Sequence, residues 1–131
     1  MTAMTIGKLA AAGGVGVETV RYYQRRGLLN EPPRDGLYGG VRRYDDGDVR
    51  RLRFIRAAQG AGFTLDQIGE LLDFDTRDDR AQARALARDR IAALDARIAD
   101  LTAARDALAK LARECGKGGP GPCPILTAFE R

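Results

Sequence analysis

The sequence predicts an all-α chain with one small β wing: a winged helix-turn-helix domain, then a long pairing helix, then a C-terminal loop. Three observations carry this. Two short segments with apolar residues at helical spacing open the chain, separated by glycines. A stretch rich in proline and glycine follows them, and the longest element is an unbroken helical pattern of about 35 residues, roughly 50 Å if helical throughout.

With 131 residues, the chain can bury one modest core but hardly two. It has no apolar run long enough for a bilayer span and no signal-peptide pattern, so a cytoplasmic protein with no membrane partner is expected. Charge is unevenly placed. Residues 1–60 carry eleven Lys and Arg against six Asp and Glu, whereas residues 61–131 carry eleven against twelve. The positive first half suits a nucleic-acid partner.

In "TIGKLAAA", Ile6, Leu9 and Ala10 share one face. "GGV" breaks that helix and "VETVRYYQRRG" starts another, with Val17, Val20 and one tyrosine ring inward, and Glu18, Thr19, Arg21, Tyr22 and Arg25 outward. Gly27 supplies the left-handed residue that ends it. Two short helices with a tight corner are helix-turn-helix geometry, in which the second helix enters a major groove.

"NEPPRDGLYGGVRRY" reads as a small hairpin, the wing, with Gly39 and Gly40 at its tip. Arg34, Arg42 and Arg43 project from it, flanked by Tyr38 and Tyr44, and arginine is well shaped for phosphate contact. "DDGDVRRLRFIRAAQGAG" gives a helix opened by Asp45 or Asp46, with Val49, Leu52, Phe54, Ile55 and Ala58 inside. Thr64 and Gln67 have capping-box spacing before "LDQIGELL", and Thr76 and Asp79 resemble a second box before the long helix.

In that long helix the apolar residues Ile91, Leu94, Ile98 and Leu101 alternate spacings of three and four, with Leu86, Leu108 and Leu111 extending the stripe. A helix this long cannot cover its own seam. Pairing with its copy in a symmetric homodimer is the simplest answer.

Cys115 and Cys123, the two cysteines of the chain, flank "GKGGPGP". A disulfide, a zinc site, a soft-metal clamp and an incidental pair all remain open on residue types alone. Zinc generally takes three or four nitrogen or sulfur ligands, and this chain has no histidine. Soft ions such as mercury(II) and copper(I) accept two thiolates, which a short loop can supply. The same pair suits a thiol-based redox sensor, and an effector-free DNA-architectural protein would leave the cysteines idle. No nucleophile-and-base constellation is recognisable, so an enzyme is not expected.

The segments "TIGKLA", "VETVRYYQRRGLL", "YGGVRRYDDGDVRRLRFIRAAQ", "GFTLDQIGELL" and "CGKGGPGPCPIL" occur in the order expected of the MerR family, which the chain resembles over nearly its whole length. The DNA-binding half is most similar to mercuric resistance regulators. The C-x7-C-P-I-L ending resembles the copper(I), silver and gold efflux regulators. The resemblance implies a winged helix-turn-helix DNA-binding domain over 1–74, an antiparallel coiled-coil dimerisation helix over 75–113, and a metal-binding loop and tail over 114–131. It further implies a homodimer on double-stranded promoter DNA that activates transcription by RNA polymerase through DNA distortion when metal binds.

Residue by residue, Thr19, Arg21 and Tyr22 match the family's recognition-helix positions, and Arg42, Arg43 and Tyr44 match its wing contacts. Cys115 and Cys123 match its metal ligands, for mercury(II) or for the copper(I), silver(I) and gold(I) group. Divalent sensors of the family add a cysteine at the start of the partner's long helix, and Arg80 stands at the corresponding position.

Overall fold

Thr5 starts the first helix by accepting the Lys8 amide on its hydroxyl, 3.3 Å away, which satisfies one of the amides a helix start leaves unpaired. In the computed structural model, which describes residues 3–35 and 41–128, α1 spans Ile6–Gly13 and ends at the left-handed Gly14. Three residues later α2 runs over Val17–Arg25. Gly27, at φ +75°, then turns the chain as expected.

The wing is a two-stranded antiparallel sheet, β1 (Arg34–Asp35) and β2 (Val41–Arg42), with Arg34 opposite Arg42 and Asp35 opposite Val41. Its expected Gly-Gly tip and Tyr38 lie outside the described residues. An isolated bridge between Met4 and Tyr44 fastens the wing's return to the start of the chain.

α3 spans Asp46–Gly60. Asp45 is the cap and forms a reciprocal box with Asp48, each side chain accepting the other's amide. α4 spans Leu65–Thr76, opened by the expected Thr64–Gln67 box. The second expected box does not form. Thr76 is the last residue of α4, its hydroxyl donating to the Leu72 carbonyl, and Asp79 instead caps the next helix through the Gln82 amide. A single residue, Asp78, takes positive φ (+54°) in the connection, a conformation that aspartate tolerates better than most.

α5 runs without a break over Arg80–Gly116, 37 residues, and α6 over Pro124–Ala128 gives the expected tail one short helical turn. The chain divides into two compact units, Met1–Arg90 and Ile91–Arg131, so the division falls inside α5.

The first unit holds the core. Leu9, Val20, Tyr23, Leu28, Leu29, Val49, Leu52, Ile55 and Ile68 are buried together with Tyr44. Burying each large apolar side chain contributes about 1.5–3 kcal/mol, so this cluster dominates the stability of the unit. α1 lies so close to α3 that a Cβ on Gly13 would overlap the Leu52 side chain; only glycine permits the approach. Phe54 departs from expectation. It is 40% exposed, because Val49, Leu52, Ile55 and Ala58 already fill the inward stripe of α3 and Phe54 falls beside it. Among its described residues the second unit buries no large side chain. Ile91, Leu94, Ile98, Leu101 and Leu108 all stand exposed.

Candidate nucleic-acid interface and thiol site

The outward face of α2 exists because Val20 and Tyr23 anchor its inward face. Tyr23 donates its hydroxyl to the Gln59 side chain of α3, which fixes the rotation of α2 about its axis. That rotation leaves Arg21 and Tyr22 exposed and Thr19 half-buried. Arg21 pairs with Glu18 one turn earlier at 2.6 Å, both side chains largely in solvent. Such a pair is worth little in water, so the guanidinium stays available to a stronger anion.

Tyr22 is braced by two arginines. The Arg25 and Arg26 guanidinium carbons sit 5.8 and 5.9 Å from its ring centre, and Arg26 also donates to the Tyr22 hydroxyl at 3.0 Å. Arg26 further joins α2 to α4 through Asp66 at 2.8 Å. Nothing in the sequence pattern singled out Arg26, since its role depends on α4 folding back beside α2.

On the wing, Arg43 is exposed and Arg42 half-buried, its guanidinium 3.0 Å from the Glu31 carboxylate. Arg34 stands in β1 opposite Arg42. Tyr44, expected as a DNA-facing wing residue, is instead a core residue, 2% exposed. Its hydroxyl accepts from the Gln24 amide group at 2.8 Å. It links wing to α2 from the inside and has no surface to offer. α2 and the wing thus present Thr19, Arg21, Tyr22, Arg42 and Arg43 from the unit that carries the excess positive charge.

The thiol site is built at the other end of the chain. Cys115 occupies the last turn of α5 and Cys123 immediately precedes α6. Between them Gly118, Gly119 and Gly121 take φ of +68°, +121° and +99°, conformations that side chains resist, and these let the loop double back. Both thiols are free and their sulfurs lie 2.8 Å apart. Hydrogen bonding to Cys123 holds the Cys115 thiol above its usual range. The Cys115 hydrogen bond, followed by the backbone amides of Ile125 and Leu126, holds Cys123 below it. The backbone amides at the start of α6 thus favour the thiolate at Cys123 over Cys115.

Among the described residues no cluster of three or more His, Cys, Asp or Glu side chains is placed to hold a metal. The donor set here is two sulfurs. Cys115 and Cys123 would suit a soft ion that accepts two thiolates, and the left-handed glycines between them leave the loop free to adjust.

Known proteins share the sequence pattern and the fold. The family model described as "MerR HTH family regulatory protein" matches residues 4–75, and "MerR, DNA binding" matches residues 49–111. A mercuric resistance operon regulatory protein of Shigella flexneri is 41% identical over 128 residues, 97% of this chain and 88% of that protein. A dual function transcriptional regulator from Bacillus megaterium MB1, solved with mercury(II), has a TM-score of 0.68 at 30% identity, covering 98% of this chain and 100% of that one. HiNmlR, a regulator lacking the sensor domain and bound to promoter DNA, has a TM-score of 0.67 at 25% identity, covering 83% and 86%.

Proposed function

The chain belongs to the MerR family of helix-turn-helix regulatory proteins, and from that premise we propose that it is a metal-responsive regulator of transcription whose effector is a soft ion held by Cys115 and Cys123. The observation that carries the metal reading is the pair of free thiols 2.8 Å apart on a glycine-rich turn. Two thiolates satisfy mercury(II), copper(I), silver(I) or gold(I), and leave zinc short of ligands.

The chain acts as a homodimer. Ile91, Leu94, Ile98 and Leu101 form a seam too apolar to remain in water, and a second copy of α5 covers it. Each protomer sets α2 into a major groove of promoter DNA, with Arg21 and Thr19 toward the bases and Arg42, Arg43 and Arg34 on phosphates. Tyr22 adds a contact from its exposed ring.

Activation follows from DNA distortion. Bending a site of this size costs on the order of 1–6 kcal/mol by elastic estimates, so the metal must favour one dimer conformation by a comparable amount. The distorted promoter then suits RNA polymerase.

The test is a competition of mercury(II), copper(I), silver(I), zinc(II) and cadmium(II) for the reduced protein, followed by transcription with each ion. Two-coordinate soft ions are expected to win and to activate. A win for zinc or cadmium overturns the two-thiolate reading, and activation by oxidant without metal turns the same cysteines into a redox switch.

A further inference from the structure

From sequence, Arg90 is one of several arginines along α5 and carries no signal. Its surroundings set it apart. Nη1 donates to the Gly62 carbonyl at 2.9 Å. The guanidinium also lies flat on the Gly62 α-carbon, since a Cβ there would stand 3.1, 3.2 and 3.3 Å from Cζ, Nε and Nη1. Gly62 has φ +93° and follows Ala61, the C-cap of α3, with its own amide returned to the Gln59 carbonyl and that of Phe63 to Ala58. Arg90 therefore grips a corner fixed by backbone bonds. From that corner α3 carries Leu52 and Ile55 into the core that positions α1 and α2.

Over the first turns of α5 the half-buried residues are Ala83, Leu86, Ala87 and Arg90, one face at helical spacing, and every residue from Ile91 to Lys110 is exposed. Arg90 is thus the last residue of the helix that the first unit covers. Among the described residues its bond to Gly62 is the one hydrogen bond joining the α5 helix to residues 3–76.

We propose that Arg90 is the positioning residue through which α5 directs the DNA-binding unit: its clasp on Gly62 locks the first turns of the helix to the α3–α4 corner, so that a change along α5 reaches α2 and the wing as a rigid movement. The proposal rests on the metal-responsive reading above. It assigns Arg90 no contact with DNA or with metal. Losing it uncouples two sites that each still bind.

The experiment compares full-length wild type, R90A, R90K and G62A for three quantities: operator affinity, mercury(II) or copper(I) stoichiometry, and the ratio of transcription with metal to transcription without. R90A is expected to keep the first two within about twofold while lowering the ratio by about fivefold or more, the lower end of ordinary coupling between sites. R90K can reach the carbonyl but cannot lie flat on the glycine, and should fall between. G62A pushes the guanidinium away from the other side and also strains a backbone held at φ +93°, so it is read only as the background in which R90A/G62A should be no worse in ratio than G62A alone.

Amide exchange of the metal-free protein gives an independent reading: R90A should speed exchange in residues 80–90 and leave residues 17–25 unchanged. A metal-responsive wild type with an equally responsive R90A overturns the clasp, as does an induction loss that merely follows a fall in operator affinity. An unresponsive wild type overturns the metal reading instead, and the exchange experiment then decides whether the clasp exists.

Discussion

Cys115 and Cys123 bring their sulfurs to 2.8 Å and split their acidities in opposite directions, Cys115 upward and Cys123 downward. The first cause of both is one shared hydrogen bond, in which the Cys115 thiol stabilises the Cys123 thiolate, and the Ile125 and Leu126 amides add to the lowering at Cys123. As pH rises, Cys123 ionises before an ordinary cysteine and Cys115 after it.

Alkylation of the reduced, metal-free protein across pH should therefore modify Cys123 first. Cys115→Ala removes the donor, so the Cys123 profile should move to higher pH, and Cys123→Ala should let the Cys115 profile move lower. Mass spectrometry of the tail peptide reads both. Shifts in the same direction would contradict a shared bond. Metal affinity should rise over the same pH range, because both ligands must lose a proton to bind.

The residues proposed to face DNA divide by the role each can play. Arg21→Ala should weaken operator binding by about 1–3 kcal/mol and relax the preference at one base position. Arg43→Ala, from the exposed wing, should weaken specific and nonspecific DNA alike and lower the salt slope by about one. Titration of labelled operator at several salt concentrations distinguishes them. Equal behaviour would mean that α2 does not read bases.

Tyr44 shows where sequence reading stops. A tyrosine beside two wing arginines looks like a DNA contact, yet the Met4–Tyr44 bridge turns its ring inward, and only the fold reveals that pairing. Tyr23, by contrast, was legible, because helical spacing from Val20 forces one of the two adjacent rings into the core. Caps written within four residues, such as Thr64–Gln67, were also legible. Arg26 and Arg90 were not, since their partners Asp66 and Gly62 lie far away in sequence. The same local reasoning misplaced the Thr76–Asp79 box, where the chain first needs the left-handed Asp78 to leave α4.

Gly13→Ala tests how tightly α1 is set on α3. The new methyl would overlap Leu52, and overpacking a filled core costs about 1–3 kcal/mol. Leu52→Ala alone leaves a cavity and costs about 2–5 kcal/mol. In the double variant the methyl introduced on α1 enters space that the leucine side chain vacated, so the combined loss should be smaller than the sum of the two. Thermal or urea unfolding measures it. Strict additivity would mean that the two residues do not touch in solution.

Ile98→Asp addresses the proposed dimer, because Ile98 lies in the seam with 59% of its surface exposed in the single chain. Pairing two copies of α5 would bury it, and each large apolar side chain so buried contributes about 1.5–3 kcal/mol. A carboxylate there brings two like charges into the seam, where desolvation makes each costly. Sedimentation should show wild type as a dimer and Ile98→Asp shifted toward monomer. The core of residues 9–68 contains no part of the seam, so the first unit should keep its cooperative unfolding transition in the variant. Operator affinity should fall, since two half-sites are then bound separately. An unchanged dimer would place the interface elsewhere and leave the exposed stripe of α5 without its proposed partner.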